Sequence, residues 1–181
     1  MGAKVVIVPY DPAWPERFAE LGAALRAALG SVALRIDHIG STAVPGLDAK
    51  PIIDVQVSVA SFEPVEAYRD PLEGLGYEFR SWNPDLSKRY FREKPGERRT
   101  HIHVRRAGSW AEQFALLFRD YLRAHEPDAR HYAETKYRLA EQYGEDRHGY
   151  TDAKGPVIWE IMQKADRWNQ ETGRVPEPSD A

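Results

Sequence analysis

The stretch His38-Ile39-Gly40-Ser41-Thr42-Ala43-Val44-Pro45-Gly46-Leu47-Asp48-Ala49-Lys50-Pro51-Ile52-Ile53-Asp54-Val55-Gln56-Val57-Ser58-Val59 decides the fold. It reads as strand, turn, strand. Val32 to Ile39 forms the first strand and Gly40 breaks it. Pro51 to Val59 forms the second, with Ile53, Val55, Val57 and Val59 on one face. Side chains alternate along a strand, so Asp54, Gln56 and Ser58 point to the other face. At the turn, Gly40-Ser41-Thr42 gathers backbone N–H groups and two hydroxyls. A glycine there lets the backbone approach an anion closely. Pro45-Gly46 bends the chain back, and Lys50 adds a point charge. Most Gly-Ser-Thr tripeptides are plain turns. This one is followed, twelve residues after Thr42, by an acid inside an apolar strand. A carboxylate on a sheet must be solvated, paired or metal-bound. Asp54 is therefore either a wet-face aspartate or a ligand for magnesium or manganese holding a nucleotide's phosphates.

Outward from this stretch, Val5 to Val8 reads as an edge strand stopped by Pro9. Asp11-Pro12 opens a helix whose stripe is Trp14, Phe18, Leu21, Leu25 and Leu29, with Gly30 as its stop. Ser61 is expected to cap a short helix carrying Val65, Tyr68, Leu72 and Leu75, interrupted by Pro71. Three more strands follow, over Tyr77–Ser81, Lys88–Lys94 and Arg99–Arg106. Lys94-Pro95-Gly96-Glu97 is the hairpin turn between the last two. In the last strand His101, His103 and Arg105 share a face. Should it neighbour the Asp54 strand, then Asp54, Gln56, His101 and His103 converge, with His38 beside the turn. Such a cluster suits zinc, nickel or iron, or supplies a general base. The plainer reading is a solvated polar face.

From residue 109 to 168 the chain is helical. Ser109-Trp110-Ala111-Glu112 is a capping box, followed by the stripe Phe114, Leu117, Phe118, Tyr121 and Leu122. Pro127 sits in the first turn of a helix that turns Tyr132, Leu139 and Tyr143 inward. Pro156 starts a last helix with Val157, Ile158, Ile161, Met162, Ala165 and Trp168. Arg119, Arg123, Lys136, Arg138 and Lys154 face either solvent or a cleft. Residues 1–168 are expected to form one domain, and the polar, proline-bearing 169–181 a flexible tail. Strands first and helices late imply an α+β class with a mixed sheet.

Composition narrows the function. The 181 residues carry a net charge of -3 and no cysteine, which excludes disulfides, thiolate metal sites and a cysteine nucleophile. No apolar run approaches a membrane span. The N-terminal apolar run is too short for a signal peptide, and Gly2 lacks the Ser or Thr at position six that myristoylation favours. A cytoplasmic location follows as the expectation, with no membrane partner and no strong nucleic-acid signal. The basic pairs Lys88-Arg89, Arg98-Arg99 and Arg105-Arg106 are either solvated strand ends or parts of a phosphate pocket.

These residues resemble a known family. His38-Ile39-Gly40-Ser41-Thr42-Ala43-Val44-Pro45-Gly46-Leu47 followed by Ala49-Lys50-Pro51-Ile52-Ile53-Asp54 is similar to the leading motif of the GrpB family. Tyr10-Asp11-Pro12-Ala13-Trp14, His101-Ile102-His103-Val104, Phe118-Arg119-Asp120-Tyr121-Leu122-Arg123 and Tyr132 to Lys136 match further motifs. The resemblance implies a nucleotidyltransferase-like mixed sheet flanked by helices. The residues themselves carry the expectation of a phosphorylated small molecule or nucleotide gripped by Gly40, Ser41, Thr42, Lys50 and Lys136. In that superfamily three carboxylates hold two metal ions for attack on a nucleotide's α-phosphate. Asp54 matches the first carboxylate. Gln56 stands in place of the second, and histidines occupy the strand expected to hold the third. Three functions stay open. One is nucleotidyl or phosphoryl transfer with Asp54 and His103 as catalytic residues. The second is a noncatalytic nucleotide- or coenzyme-binding module, the coenzyme-A context coming from relatives fused to dephospho-CoA kinase. The third is a zinc or nickel site made by Asp54, His101 and His103.

Overall fold

The computed structural model describes residues 4–181, so Gly2 lies outside the described residues. A five-stranded sheet forms the centre, in the order β1-β2-β5-β4-β3. Its strands are β1 (Arg35–Ile39), β2 (Ile53–Val59), β3 (Tyr77–Phe79), β4 (Arg89–Glu93) and β5 (Thr100–Arg106). Only β2 and β5 run parallel; the other pairs are antiparallel. The sheet is mixed and the class is α+β, as the order of elements implied.

Strand alternation divides the sheet into two unlike faces. The apolar face carries Ile36, Val55, Val57, Ile102, Val104 and Phe91, all fully buried. Helices α1 (Trp14–Leu29) and α2 (Glu66–Gly74) cover it with Trp14, Phe18, Leu25, Leu29, Tyr68 and Leu72. Each such side chain contributes about 1.5–3 kcal/mol through burial. The other face is polar and is covered only in part. Helices α3 (Trp110–Ala124), α4 (Glu126–Tyr143), α5 (Arg147–Ala153) and α6 (Gly155–Thr172) gather on that side around their own core of Val44, Leu47, Leu122, Tyr132 and Ile161. They close over one end of the face and leave a cleft at the other.

Several elements depart from expectation. Val5 to Val8 forms no strand. Val8 makes a single bridge to Ala49, and Val5 packs on Leu139, Ala140 and Tyr150. Its apolar residues are claimed by helices, and Pro9 cannot extend a ladder. Helix α1 begins at Trp14, because Asp11 first makes a turn whose carboxylate accepts the Ala13 N–H. Ser61 caps no helix; its hydroxyl accepts the Glu63 N–H and α2 starts at Glu66. Ser109 does cap α3, accepting from Glu112. Along α3, Leu116, Arg119 and Asp120 are buried as well as the expected Tyr121 and Leu122, since the helix is packed on two sides.

The C-terminal segment packs on the sheet. Residues 174–181 lie along the outer edge of β1. Ser179 Oγ accepts the Ile36 N–H at 2.9 Å, Asp180 accepts the His38 N–H at 2.8 Å, and Ala181 N–H donates to Ile36 O at 3.1 Å. Arg174 pairs with Asp120, and Glu177 with Arg123. The partners of this segment are the outer backbone of an edge strand and buried charges. Among the described residues no helix is long and apolar enough to cross a membrane.

Candidate functional site

The parallel pairing of β2 with β5 places Asp54 opposite His101 and Gln56 opposite His103. All four side chains issue from the polar face. Asp54 Oδ1 lies 3.1 Å from His103 Nε2 and 3.3 Å from His101 Nδ1. Tyr90, opposite His103 on β4, packs against both imidazoles, with ring centroids 5.2 Å from His103 and 5.5 Å from His101. Burial alone would raise the Asp54 carboxyl; the hydrogen bonds from His101 and His103 outweigh it and hold the carboxyl below its ordinary range. Burial lowers His103 to about 4 despite its bond to Asp54. At neutral pH the pair is therefore a carboxylate accepting from a neutral imidazole.

Gly40 explains how the turn reaches Asp54. Its φ of 72° lies in the left-handed region, and a Cβ there would sit 3.0 Å from Asp54 Oδ2. Glycine is needed for both reasons. The close approach locks the carboxylate between the turn and the histidines. Ser41 faces the cleft and its Oγ accepts from Lys136 Nζ at 3.0 Å. Thr42 does not offer a free hydroxyl. It donates to Ile52 O at 3.1 Å, so its contact with His38 at 2.9 Å must be an Nε2–H donation from the imidazole.

His38 does not join the other histidines. It pairs with Val55 across the ladder, which puts it on the apolar face, stacked on Phe18 at 4.7 Å. Strand parity gives Ile39, not His38, the place beside Asp54. Burial, then Arg123, lowers His38 to about 4, so it is a neutral core residue. Gln56 turns away as well: its Oε1 accepts Arg105 at 2.6 Å and its amide reaches Glu112 O at 3.4 Å.

The cleft beside Asp54 has a volume of about 520 Å³. Five cations border it, Lys50, Lys88, Lys136, Arg147 and Lys154, against the two carboxylates of Asp54 and Asp152. Lys50 and Lys154 sit 4.1 and 4.9 Å from the Tyr150 ring centroid, and Lys136 sits 4.7 Å from that of Tyr132. Among the described residues none of these three lysines makes an ion pair. Burial, then Lys154 and Arg147, lowers Lys50 to about 8; burial, then Lys154, lowers Lys136 to about 7. Burial also lowers Lys88 and Lys154. Lys88 has Asp85 as a partner at 3.3 Å, whereas Lys50, Lys136 and Lys154 are desolvated beside one another with no carboxylate paired to them.

Of the residues expected at the site, the structure brings together Ser41, Lys50, Asp54, His101, His103 and Lys136, with Gly40 as their backbone support. Arg119 and Arg123 are neither solvent-facing nor in the cleft. Arg119 is fully buried, donating to His38 O, Asp120 and Asp180, and Arg123 donates to Ala43 O. Of the basic strand-end pairs only Lys88 borders the cleft. Sequence reading missed α5 with Arg147 and Tyr150. The available signal was Asp146, which caps that helix by accepting the Gly149 N–H.

Sheet and helices together define an α+β protein built on a mixed, helix-flanked sheet. A solved structure of Cid1 in complex with its short product ApU matches at a TM-score of 0.50 and 17% identity, covering 75% of this chain and 43% of that one. That likeness is one of fold. Residues 4–164 match the family described as GrpB protein, and the chain belongs to the GrpB family. The crystal structure of conserved protein GrpB from Enterococcus faecalis matches at a TM-score of 0.81 and 35% identity, covering 90% of this chain and 99% of that one. UPF0157 protein PA4798 of Pseudomonas aeruginosa is 46% identical, over 90% of this chain and 68% of its own length. A dephospho-CoA kinase of Mycolicibacterium paratuberculosis is 35% identical, over 96% of this chain but 49% of its own length. The chain thus spans about half of that kinase.

The two-metal arrangement of nucleotidyltransferases does not fit these residues. Asp54 is the one carboxylate that the sheet contributes to the cleft. Gln56 is neutral and bonded to Arg105, and β5 offers imidazoles where a further acid is needed. A pair of hard dications requires more anionic oxygen than this.

Proposed function

We propose that the cleft binds a phosphorylated small molecule of the nucleotide or coenzyme class. The observation that carries this reading is the convergence of Lys50, Lys136 and Lys154 on one cleft without a carboxylate partner. Desolvated, mutually repelling amines are costly in an empty site and are relieved by a polyanion. Ser41, held by Lys136, and the Gly40 turn add neutral donors beside them. Relatives named for dephospho-CoA kinase support a ligand containing an adenine nucleotide. The reading is of binding without two-metal nucleotidyl transfer, because Gln56 and the histidines replace the acids which that reaction uses.

Calorimetric titration with ATP, GTP, CTP, UTP and dephospho-coenzyme A tests it. At least one should bind at one molecule per chain, and Lys136→Ala and Lys50→Ala should each weaken it about tenfold or more, as loss of a charged hydrogen bond does. Failure of all five ligands with a folded protein ends the proposal. Formation of pyrophosphate that requires Asp54 would reinstate nucleotidyl transfer.

A further inference from the structure

We infer that Asp54, His101 and His103 form a binding site for a single transition-type divalent cation, of the zinc, cobalt or nickel kind. The three side chains present ligand atoms that all lie within 4.8 Å of one another. Asp54 Oδ1 is 3.3 Å from His101 Nδ1 and 3.1 Å from His103 Nε2. Ligands on a tetrahedral ion with bonds near 2.0–2.1 Å stand about 3.3 Å apart, so little movement is needed to admit one. The arrangement is preorganised. Register fixes the two histidines on one face of β5 with Asp54 alongside, Tyr90 packs on both rings, and the Gly40 turn abuts Asp54 Oδ2.

The donor set selects the ion. Imidazole favours zinc, nickel, cobalt or copper, while magnesium demands oxygen and several waters. The lysines around the cleft oppose any dication by charge. That opposition penalises magnesium, held chiefly by electrostatics, more than an ion bound through nitrogen. Three protein ligands leave further positions toward the cleft, the arrangement of an open rather than a sealed zinc site. The outward nitrogens, His101 Nε2 and His103 Nδ1, are buried without a protein partner. Tight zinc sites orient their histidines through such partners. The ion here is accordingly exchangeable, and the protein should be loaded rather than assayed as purified. The site is independent of the ligand proposed above, since it requires only the three side chains and the metal.

The test uses the full chain without a histidine tag, stripped with a chelator and titrated with Co²⁺ alone. Visible absorption should reach its endpoint at one ion per chain, and Zn²⁺ should abolish it while millimolar Mg²⁺ leaves it intact. Because loss of an outer partner already costs 10–100-fold in affinity, His101→Ala and His103→Ala should each weaken Co²⁺ at least about 100-fold. His148→Ala, in the same cleft but outside the triad, should bind as the parent does. Should a histidine variant fail to fold, proton NMR of the unmodified protein decides: Co²⁺ must shift the imidazole signals of His101 and His103 and leave those of His131. No saturable Co²⁺ or Zn²⁺ binding, binding that leaves those two imidazoles unshifted, or displacement by equimolar Mg²⁺ overturns the inference.

Discussion

Gly40 and Asp54 show how far one residue's role depends on another's. As a sequence feature, Gly40 begins a phosphate-type turn. In the structure its missing Cβ makes room for the Asp54 carboxylate, and its φ of 72° adds a second reason for glycine. Gly40→Ala is therefore expected to cost about 1–3 kcal/mol, the range for a strained backbone position, and to push Asp54 from the histidines. Denaturant unfolding would measure the first, and loss of Co²⁺ affinity the second. A stability change of a few tenths of a kcal/mol would mean that the turn relaxes freely. His38 is the counter-case, because a residue next to the turn in sequence lies on the opposite side of the sheet.

At the scale of elements, the C-terminal segment acts as a cover for β1. It satisfies Ile36 N–H, Ile36 O and His38 N–H, the outward groups of a strand with no neighbour on that side. It also supplies Asp180 to Arg119, which is fully buried. Ending the chain after Gly173 should uncover an edge strand and remove one partner of a buried cation. The expected loss is about 3 kcal/mol or more, with concentration-dependent association of the exposed edges. Chemical denaturation and light scattering check the two consequences separately. Unchanged stability would show that the segment is dispensable to the sheet.

For the whole molecule, the decisive property is that sheet, turn and late helices deliver cations to one place. Lys50 follows the turn, Lys88 precedes β4, Lys136 comes from α4, Arg147 opens α5 and Lys154 follows it. Burial, then the neighbouring cations, leaves Lys136 near 7 and Lys50 near 8 in the free protein. A bound polyanion raises both, so the complex holds more protons than the free chain above pH 7. Affinity for a phosphorylated ligand should then fall as pH rises from 7 to 9, with proton uptake on binding at pH 8. Calorimetry in two buffers of different ionisation enthalpy reads the uptake directly. Proton release, or affinity flat across that range, would contradict the role assigned to these lysines. The same depressed lysines make the free fold lose stability as pH falls from their unfolded value near 10.5 toward 7, the direction that follows when the unfolded chain binds more protons.

The sequence by itself determined what local patterning can encode. Alternation in Ile53–Val59 and Thr100–Arg106 assigned Asp54, His101 and His103 to polar faces, helical spacing marked Trp14 to Leu29, and the motif around Gly40 pointed to the family. Only the tertiary structure decided which of those faces meet. The parallel pairing of β2 with β5 brings Asp54 against His103, 49 positions away, and nothing local specifies it. The partners of charges are undecided in the sequence for the same reason. Solvent and cleft both stay open there for Arg119, which instead lies buried against Asp120 and Asp180. A charge or a backbone group is neutralised by whatever lies nearby in space, and that is a property of the folded chain.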